Sequence, residues 1–187
     1  VPGARVGHAT IDTKDHKTGV TVILPAEDNM FVNKLTAASF IHNGFGKTAG
    51  LLQVDELGTL ETPIALTNTL NVGKVHDAIV EYMIKECKKI DVEVTSLNPV
   101  VGETNDSHIN SIQERAVETE HVMYAIEHAC EDFEEGDVGA GKGTICFGLK
   151  GGIGSASRIV TIGEKEYTLG VLVQSNFGAT KNMNING

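Results

Sequence analysis

A run of apolar residues near the N-terminus constrains the fold more than any other feature. Residues 19–25, GVTVILP, are almost continuously apolar and β-branched, which is typical of a strand buried on both faces. Residues 5–11, RVGHATI, precede this run across a polar segment, and together they predict a strand, a loop and a second strand. A strand covered on both faces needs further layers outside it. The sequence therefore predicts a layered protein of the α/β class.

Two amphipathic segments predict helices over residues 74–90 and 119–133, the second with Thr119 as its N-cap. The expected buried stripes are Val75, Ala78, Ile79, Tyr82, Met83, Cys87 and Ile90 in the first, and Val122, Ala125, Ile126, Ala129, Cys130 and Phe133 in the second. His121 and His128 lie off the second stripe and are seven positions apart in the sequence. They could present two metal ligands on one face, but solvated helix histidines are the commoner interpretation.

Composition narrows the range of functions. The 187 residues suit a single domain spanning 1–187, and 25 acidic against 15 basic side chains give a net charge of −10, which disfavours nucleic acid and anionic membranes as partners. The cysteines Cys87, Cys130 and Cys146 show no paired spacing, so neither a disulfide framework nor a zinc site is indicated. No segment approaches the roughly 18 apolar residues of a membrane span. We expect a soluble, cytoplasmic protein.

A glycine-rich segment at 136–143 is close to the phosphate-binding pattern G-x-x-x-x-G-K-S/T. Gly143 follows Lys142, however, where a hydroxyl that binds magnesium is required. The segment also leads from a predicted helix into the predicted strand at 144–150, which reverses the strand-to-helix order of a phosphate loop. We therefore reject nucleotide binding and interpret Lys142 as a surface lysine in a turn.

Three polar segments follow or interrupt the apolar runs: 56–73, 98–110 and 174–178. In the last, Asn176 could direct its amide into a cleft as a donor to a developing oxyanion, or could be an ordinary turn asparagine. Glu103 could bind a substrate ammonium group, or could cap the backbone amides of Asn105 and Ser107. The serines lack a G-x-S-x-G setting, so the chain holds no recognisable nucleophile triad of its own.

Taken together, these segments resemble the DmpA-type aminopeptidases, also called the P1 family of self-processing peptidases, which includes the β-aminopeptidases. The matching stretches are, in order, RVGHATI, GVTVILP, GFGKTAGLLQVDELGTLETPIALTNTLNVG, NPVVGETND, VGAGKGTICFGLKGGIGSASR and LGVLVQSNFG. The resemblance implies a four-layer αββα sandwich, similar to the N-terminal nucleophile hydrolases but differently connected.

The resemblance also implies a precursor that cleaves itself before a serine or threonine. The new N-terminal residue of the resulting β-chain is then the catalytic nucleophile. The present chain resembles the α-chain of such a pair, so the nucleophile lies outside it. Gly187 is not assigned as the cleavage point.

Carried over by motif, Asn176 corresponds to the oxyanion-hole asparagine, and Glu103 to a carboxylate that pairs with the free amino group of the substrate. Two positions depart from the pattern. Asn105 stands where some members carry an aromatic residue near the scissile carbonyl, which affects the expected substrate preference. Lys142 replaces a residue that is more often threonine.

The implied activity is that of a hydrolase, an aminopeptidase or amidase that removes an N-terminal residue from small peptides, amides or esters. D- and β-amino acids are among the candidate residues. The implied assembly is a tetramer of αβ units without a cofactor. The alternatives are an acyltransferase resembling the ornithine acetyltransferases, and a catalytically inactive binding or assembly protein.

Overall fold

The computed structural model describes residues 1–43 and 45–185. In chain order the elements are β1 (Arg5–Asp12), β2 (Lys17–Leu24), β3 (Leu35–Thr36), α1 (Leu51–Leu57), β4 (Thr59–Leu60), β5 (Ile64–Asn68), α2 (Val72–Lys88), β6 (Val100–Thr104), α3 (Thr119–Glu127), β7 (Ile145–Cys146), β8 (Leu149–Lys150), β9 (Ile153–Ile162) and β10 (Lys165–Gln174). Asn186 and Gly187 lie outside the described residues, so the end of the chain is not placed.

The main sheet has the strand order β1-β2-β5-β6, with only the β5–β6 pair parallel. The predicted burial of β2 on both faces is confirmed, since Val20, Thr21 and Val22 are all fully buried. Helices α2 and α3 cover one face with most of the predicted apolar stripes. Ile90 and Cys130 are exposed instead, and Phe133 lies outside this core. On the other face a short 3-10 turn, Gly139–Gly141, packs against Thr21. The predicted α/β layering is therefore confirmed.

The second helix ends earlier than its apolar pattern predicts. α3 stops at Glu127, because Cys130 leaves the helix and pairs with Val6 on the edge of β1 through two backbone hydrogen bonds of 2.9 and 3.1 Å. The predicted N-cap Thr119 is also wrong. Glu118 takes this position, where its side chain and that of His121 form a reciprocal capping box. The first helix runs two residues earlier than predicted, over Val72–Lys88.

The glycine segment leads into β structure, but the single strand predicted at 144–150 is wrong. The chain turns back at Phe147 and Gly148, both with positive φ, so β7 and β8 are two short strands that pair antiparallel. The backbone amides of the glycine segment are bound by the protein, since Gly139 N donates to Thr10 Oγ1 at 2.8 Å and Ala140 N donates to Thr21 Oγ1 at 3.1 Å. Lys142 is not a free surface lysine. Its side chain is only 14% exposed, and its ammonium pairs with Asp12 at 2.7 Å and Asp137 at 2.9 Å. The segment is thus fastened to the β1–β2 hairpin.

Strands β9 and β10 form a separate antiparallel hairpin of ten residues per strand. Alternate residues along β10 present an apolar row that is exposed in this chain: Tyr167, Leu169, Val171 and Val173. None of the helices that the structure describes is long and apolar enough to span a membrane.

Candidate active site

Glu103 lies near the carboxyl end of β6, and both of its carboxylate oxygens are held. Oε1 accepts a hydrogen bond from the backbone N–H of Lys47 at 3.0 Å, and Oε2 accepts one from the hydroxyl of Thr69. The interpretation of Glu103 as a cap for the amides of Asn105 and Ser107 is wrong, because the side-chain oxygen of Asn105 itself accepts from Ser107 N at 3.0 Å. The half-buried carboxylate is fixed in direction, which suits the binding of a cation.

Thr69 reaches Glu103 because β5 and β6 are parallel neighbours whose carboxyl ends meet. The connection from β5 to α2 is fixed by Asn68, which is buried and whose Oδ1 accepts from the backbone N–H groups of Leu70 and Asn71, each at 3.1 Å. Asn68 Nδ2 donates to Thr18 Oγ1 at 2.8 Å. Sequence reasoning singled out neither Thr69 nor Asn68, although the run TNTLN after an apolar strand was the available signal.

Asn176 follows the end of β10 and is half-buried. Its Oδ1 accepts from the backbone N–H of Ile145 at 3.1 Å, so the amide oxygen faces β7 and the NH₂ group faces away. Within residues 1–43 and 45–185 no acceptor for this NH₂ group is found. The arrangement leaves Asn176 with two N–H donors for a further oxygen atom, beyond what a simple turn asparagine needs.

The side chain of Gln174 connects the end of β10 with the end of β6. Gln174 Nε2 donates to Thr104 Oγ1 at 2.8 Å and to the carbonyl oxygen of Ala140 at 2.9 Å. Thr104 follows Glu103 directly and Gln174 precedes Asn176 by two positions, so this hydrogen bond joins the segments that carry the two candidates. No direct hydrogen bond joins Glu103 to Asn176 in the described part of the chain. The exposed side chain of Asn105 is used in its local turn.

Asp106 lies two residues after the end of β6 and was not foreseen from the sequence. Its side chain is buried, and Oδ1 accepts from Asn110 Nδ2 at 2.9 Å. Asn110 Oδ1 in turn accepts from the backbone N–H of Lys17 at 3.3 Å. Burial raises the pKa of the Asp106 carboxyl, against the opposing effect of its hydrogen bonds. Asp106 therefore packs the segment after β6 against the start of β2.

The two helix histidines have structural contacts. His121 Nδ1 accepts from the backbone N–H of Glu118 at 3.0 Å, while His128 stacks on Tyr124 with ring centroids 3.8 Å apart. Among the residues that the structure describes, no group of three or more histidine, cysteine or acidic side chains is placed to hold a metal ion.

The chain is similar to known proteins over its whole length. The model of the family described as "Peptidase family S58" matches residues 1–187. The β-peptidyl aminopeptidase BapA of Sphingosinicella xenopeptidilytica is 36% identical over 197 aligned residues, which cover all of this chain and 48% of the relative.

Two solved structures are similar over nearly the whole chain. The PH0078 protein of Pyrococcus horikoshii OT3 has a TM-score of 0.94 and 49% identity, over 99% of this chain and 55% of that protein. The L-aminopeptidase D-Ala-esterase/amidase of Ochrobactrum anthropi has a TM-score of 0.87 and 32% identity, over 96% of this chain and 52% of that protein.

The Ochrobactrum enzyme is a prototype for the serine aminopeptidases and has a variant of the N-terminal nucleophile hydrolase fold. Together with the helices and sheets described above, this similarity confirms the αββα type of sandwich that the sequence resemblance implied. The chain spans about half the length of the relatives it matches. The chain belongs to peptidase family S58.

Proposed function

We propose that this chain is the α-chain part of a self-processing aminopeptidase or amidase that works through an acyl-enzyme. The observation that carries the proposal is a doubly held carboxylate, Glu103, and a half-satisfied amide, Asn176, on two segments that the hydrogen bond from Gln174 to Thr104 joins. The nucleophile is the N-terminal serine or threonine of a β-chain cut from the same precursor.

In this mechanism Glu103 binds the ammonium group of the substrate by a charge-assisted hydrogen bond, which selects a free amino terminus. The β-chain hydroxyl attacks the scissile carbonyl and gives up its proton to a base within the assembled site. Asn176 Nδ2 donates to the oxyanion of the tetrahedral intermediate. The leaving amine takes a proton as the C–N bond breaks, and water then hydrolyses the ester. Asn105 lies beside the scissile carbonyl and influences substrate preference.

The names of the relatives support this class of reaction, since they describe a β-peptidyl aminopeptidase and an L-aminopeptidase with D-alanine esterase and amidase activity. We infer substrates of the same kind: small peptides, amides or esters from which one N-terminal residue is removed, D- and β-amino acids included. Residues 1–187 then form one domain of an αβ unit, which assembles as a tetramer in the cytoplasm and uses no cofactor. These last properties rest on the family resemblance.

Substitution of Asn176 tests the oxyanion role. In the intact, self-processed enzyme, Asn176→Ala should lower kcat/KM for amino-acid amides by about 100-fold or more, the usual cost of losing one such donor. Asn182→Ala is the matched control, because Asn182 is exposed and, among the described residues, only its backbone N–H forms a hydrogen bond. An unchanged kcat/KM in Asn176→Ala would show that the assignment is wrong.

Intact-mass measurement of the native protein tests self-processing independently of activity. The expected result is two chains, the second beginning with serine or threonine, that separate only on denaturation. A single uncut species would contradict the nucleophile proposal.

A further inference from the structure

A short segment before α1 lies directly beside the proposed amine anchor. Besides the hydrogen bond from Lys47 N to Glu103, the backbone of Ala49 pairs with Val101 on β6 through hydrogen bonds of 3.0 and 3.2 Å. The backbone of Lys47 is therefore tied to the strand that carries the anchor. Its side chain begins next to the carboxylate that would hold the substrate ammonium.

The Lys47 side chain does not pair with that carboxylate. Its Nζ donates to the carbonyl oxygen of Phe45 and lies 3.7 Å from the centroid of the Phe45 ring, which is 82% exposed. In the described part of the chain Lys47 forms no ion pair, whereas Lys142, for example, has two carboxylate partners. An unpaired cation thus lies near a fixed anion at the proposed binding site.

This arrangement has a chemical consequence for the substrate. An exposed cation–π contact contributes only about 0.5–1 kcal/mol, and a lysine ammonium moves on a flexible four-carbon stem, so Lys47 can exchange the Phe45 ring for an anionic partner. A residue with one ammonium and one free carboxylate matches the two charges of Glu103 and Lys47. A cationic side chain on the substrate would instead be repelled by Lys47.

We propose that Lys47 is a specificity-determining residue that binds a free carboxylate on the N-terminal residue of the substrate. The preferred substrates are then peptides and amides whose N-terminal residue is acidic, such as an aspartyl residue linked through its α- or its β-carboxyl group. A β-linked aspartyl residue is a β-amino acid that carries its free carboxylate on the same carbon as the ammonium. The inference rests on the proposed function, because it takes Glu103 as the amine anchor.

The test uses the self-processed enzyme with four p-nitroanilides: alanyl, α-aspartyl, β-aspartyl and lysyl. We measure kcat/KM for each and compare ratios between substrates within one preparation, so that the amount of folded enzyme cancels. Lys47→Met should lower the ratio of aspartyl to alanyl hydrolysis by about fivefold, as expected for an exposed ion pair worth about 1 kcal/mol. The two aspartyl substrates distinguish α- from β-linkage.

Charge reversal and a distant control complete the test. Lys47→Glu should shift the preference from aspartyl towards lysyl anilide, whereas Lys88→Met should leave all ratios unchanged. Lys88 is exposed in the last turn of α2, at the opposite end of that helix from Thr69, and likewise forms no ion pair with the residues that the structure describes. If alanyl anilide is hydrolysed but neither Lys47 variant alters the ratios, the inference is overturned and the proposed function stands. If the wild-type enzyme hydrolyses none of the four anilides, the inference and the proposed function are both overturned.

Discussion

At the scale of single residues, the direction of the Glu103 carboxylate depends on Thr69, which holds the oxygen that Lys47 N–H does not reach. Thr69→Val keeps the shape of the side chain and removes the hydroxyl. We expect KM for amino-acid amides to rise about tenfold with a smaller change in kcat, because a hydrogen bond to a charged group is worth roughly 1.5 kcal/mol or more. Steady-state kinetics of the self-processed enzyme measure both constants.

Thr69→Ser is the matched control for this prediction, since it retains the hydroxyl and should keep KM within about twofold of the wild-type value. Equal KM values in the valine and serine variants would show that Thr69 does not position the anchor. A fall in kcat with KM unchanged would point to a role in the chemical step instead.

The sequence could nominate Glu103 and Asn176, because a polar residue after an apolar strand is a recognisable pattern. It did not nominate Thr69, Lys47 or Gln174, although Thr69 and Gln174 also stand at the ends of apolar runs. Their importance depends on the parallel pairing of β5 with β6 and on contacts between distant segments, such as the link from Gln174 to Thr104. The roles of Glu103 and Asn176 stay predictions.

The burial of His8 leads us to predict that the free energy of unfolding depends on pH. Its Nδ1 contacts Thr21 Oγ1 at 2.9 Å and its Nε2 contacts the carbonyl oxygen of Glu134 at 3.1 Å, while burial lowers the pKa of the imidazole below its usual 6.5. The unfolded chain then binds a proton at a higher pH than the folded one. This contribution to stability is complete above about pH 6.5 and is lost as the pH falls through the lower, folded-state pKa.

The measurement is the thermal melting temperature of the wild type and His8→Gln between pH 7.5 and 5. The variant should be less stable at pH 7.5, and its melting temperature should fall less towards pH 5 than that of the wild type. Parallel curves for the two proteins would show that His8 does not titrate in this way.

At the scale of elements, the 3-10 turn at Gly139–Gly141 fits against the main sheet because Gly139 has no side chain. A Cβ at Gly139 would lie 2.4 Å from Thr21 Oγ1 and 2.7 Å from His8 Nδ1, and its φ of +50° is in the left-handed region. Gly139→Ala should therefore destabilise the protein by about 2 kcal/mol or more, through overpacking added to backbone strain. Chemical denaturation or the melting temperature measures the loss.

Gly163→Ala separates strain from overpacking. Gly163 has a φ of +64° in the turn between β9 and β10, but no atom of the described residues lies within 4 Å of its added Cβ. This control should cost only about 1 kcal/mol, the ordinary penalty of a left-handed alanine. If the two variants are equally destabilised, the close packing of the turn on Thr21 contributes nothing.

Periodicity predicted the elements better than their ends. The stripes of α2 and α3 were recognisable because buried residues recur at helical spacing, and Val75, Ile79 and Val122 are indeed fully buried. The continuation of apolar residues past Glu127 misled the prediction of α3, because Cys130 pairs with Val6 on β1. Such a contact between residues far apart in the chain leaves no local signal.

At the scale of the whole molecule, the β9–β10 hairpin presents a candidate surface for the proposed β-chain. Its two faces differ. One carries the apolar row of β10, and the register places Val160, Ala156 and Ile162 on the same face, together with the cations Lys165 and Arg158. Most of the opposite face is polar, with Glu166, Thr168, Thr161, Ser157 and Ser155, although it also carries Ile159 and Leu172. A row of exposed apolar side chains of this length is typical of an interface. Because the chain spans about half the length of its relatives, we expect the proposed β-chain to cover this face.

Leu169→Lys in the full-length precursor tests this expectation. Leu169 is 57% exposed in this chain, so the change should cost the α-chain fold little. Enclosing the new ammonium between the two chains without a partner would instead cost several kcal/mol. We expect the variant to lose soluble αβ protein and self-cleavage. Size-exclusion chromatography measures the first and gel electrophoresis the second.

Thr168→Lys is the control. Thr168 lies one residue away on the opposite face, so this variant should retain both assembly and self-cleavage. Normal assembly and cleavage of Leu169→Lys would mean that this face stays in contact with water in the complete enzyme, and that the β-chain binds elsewhere.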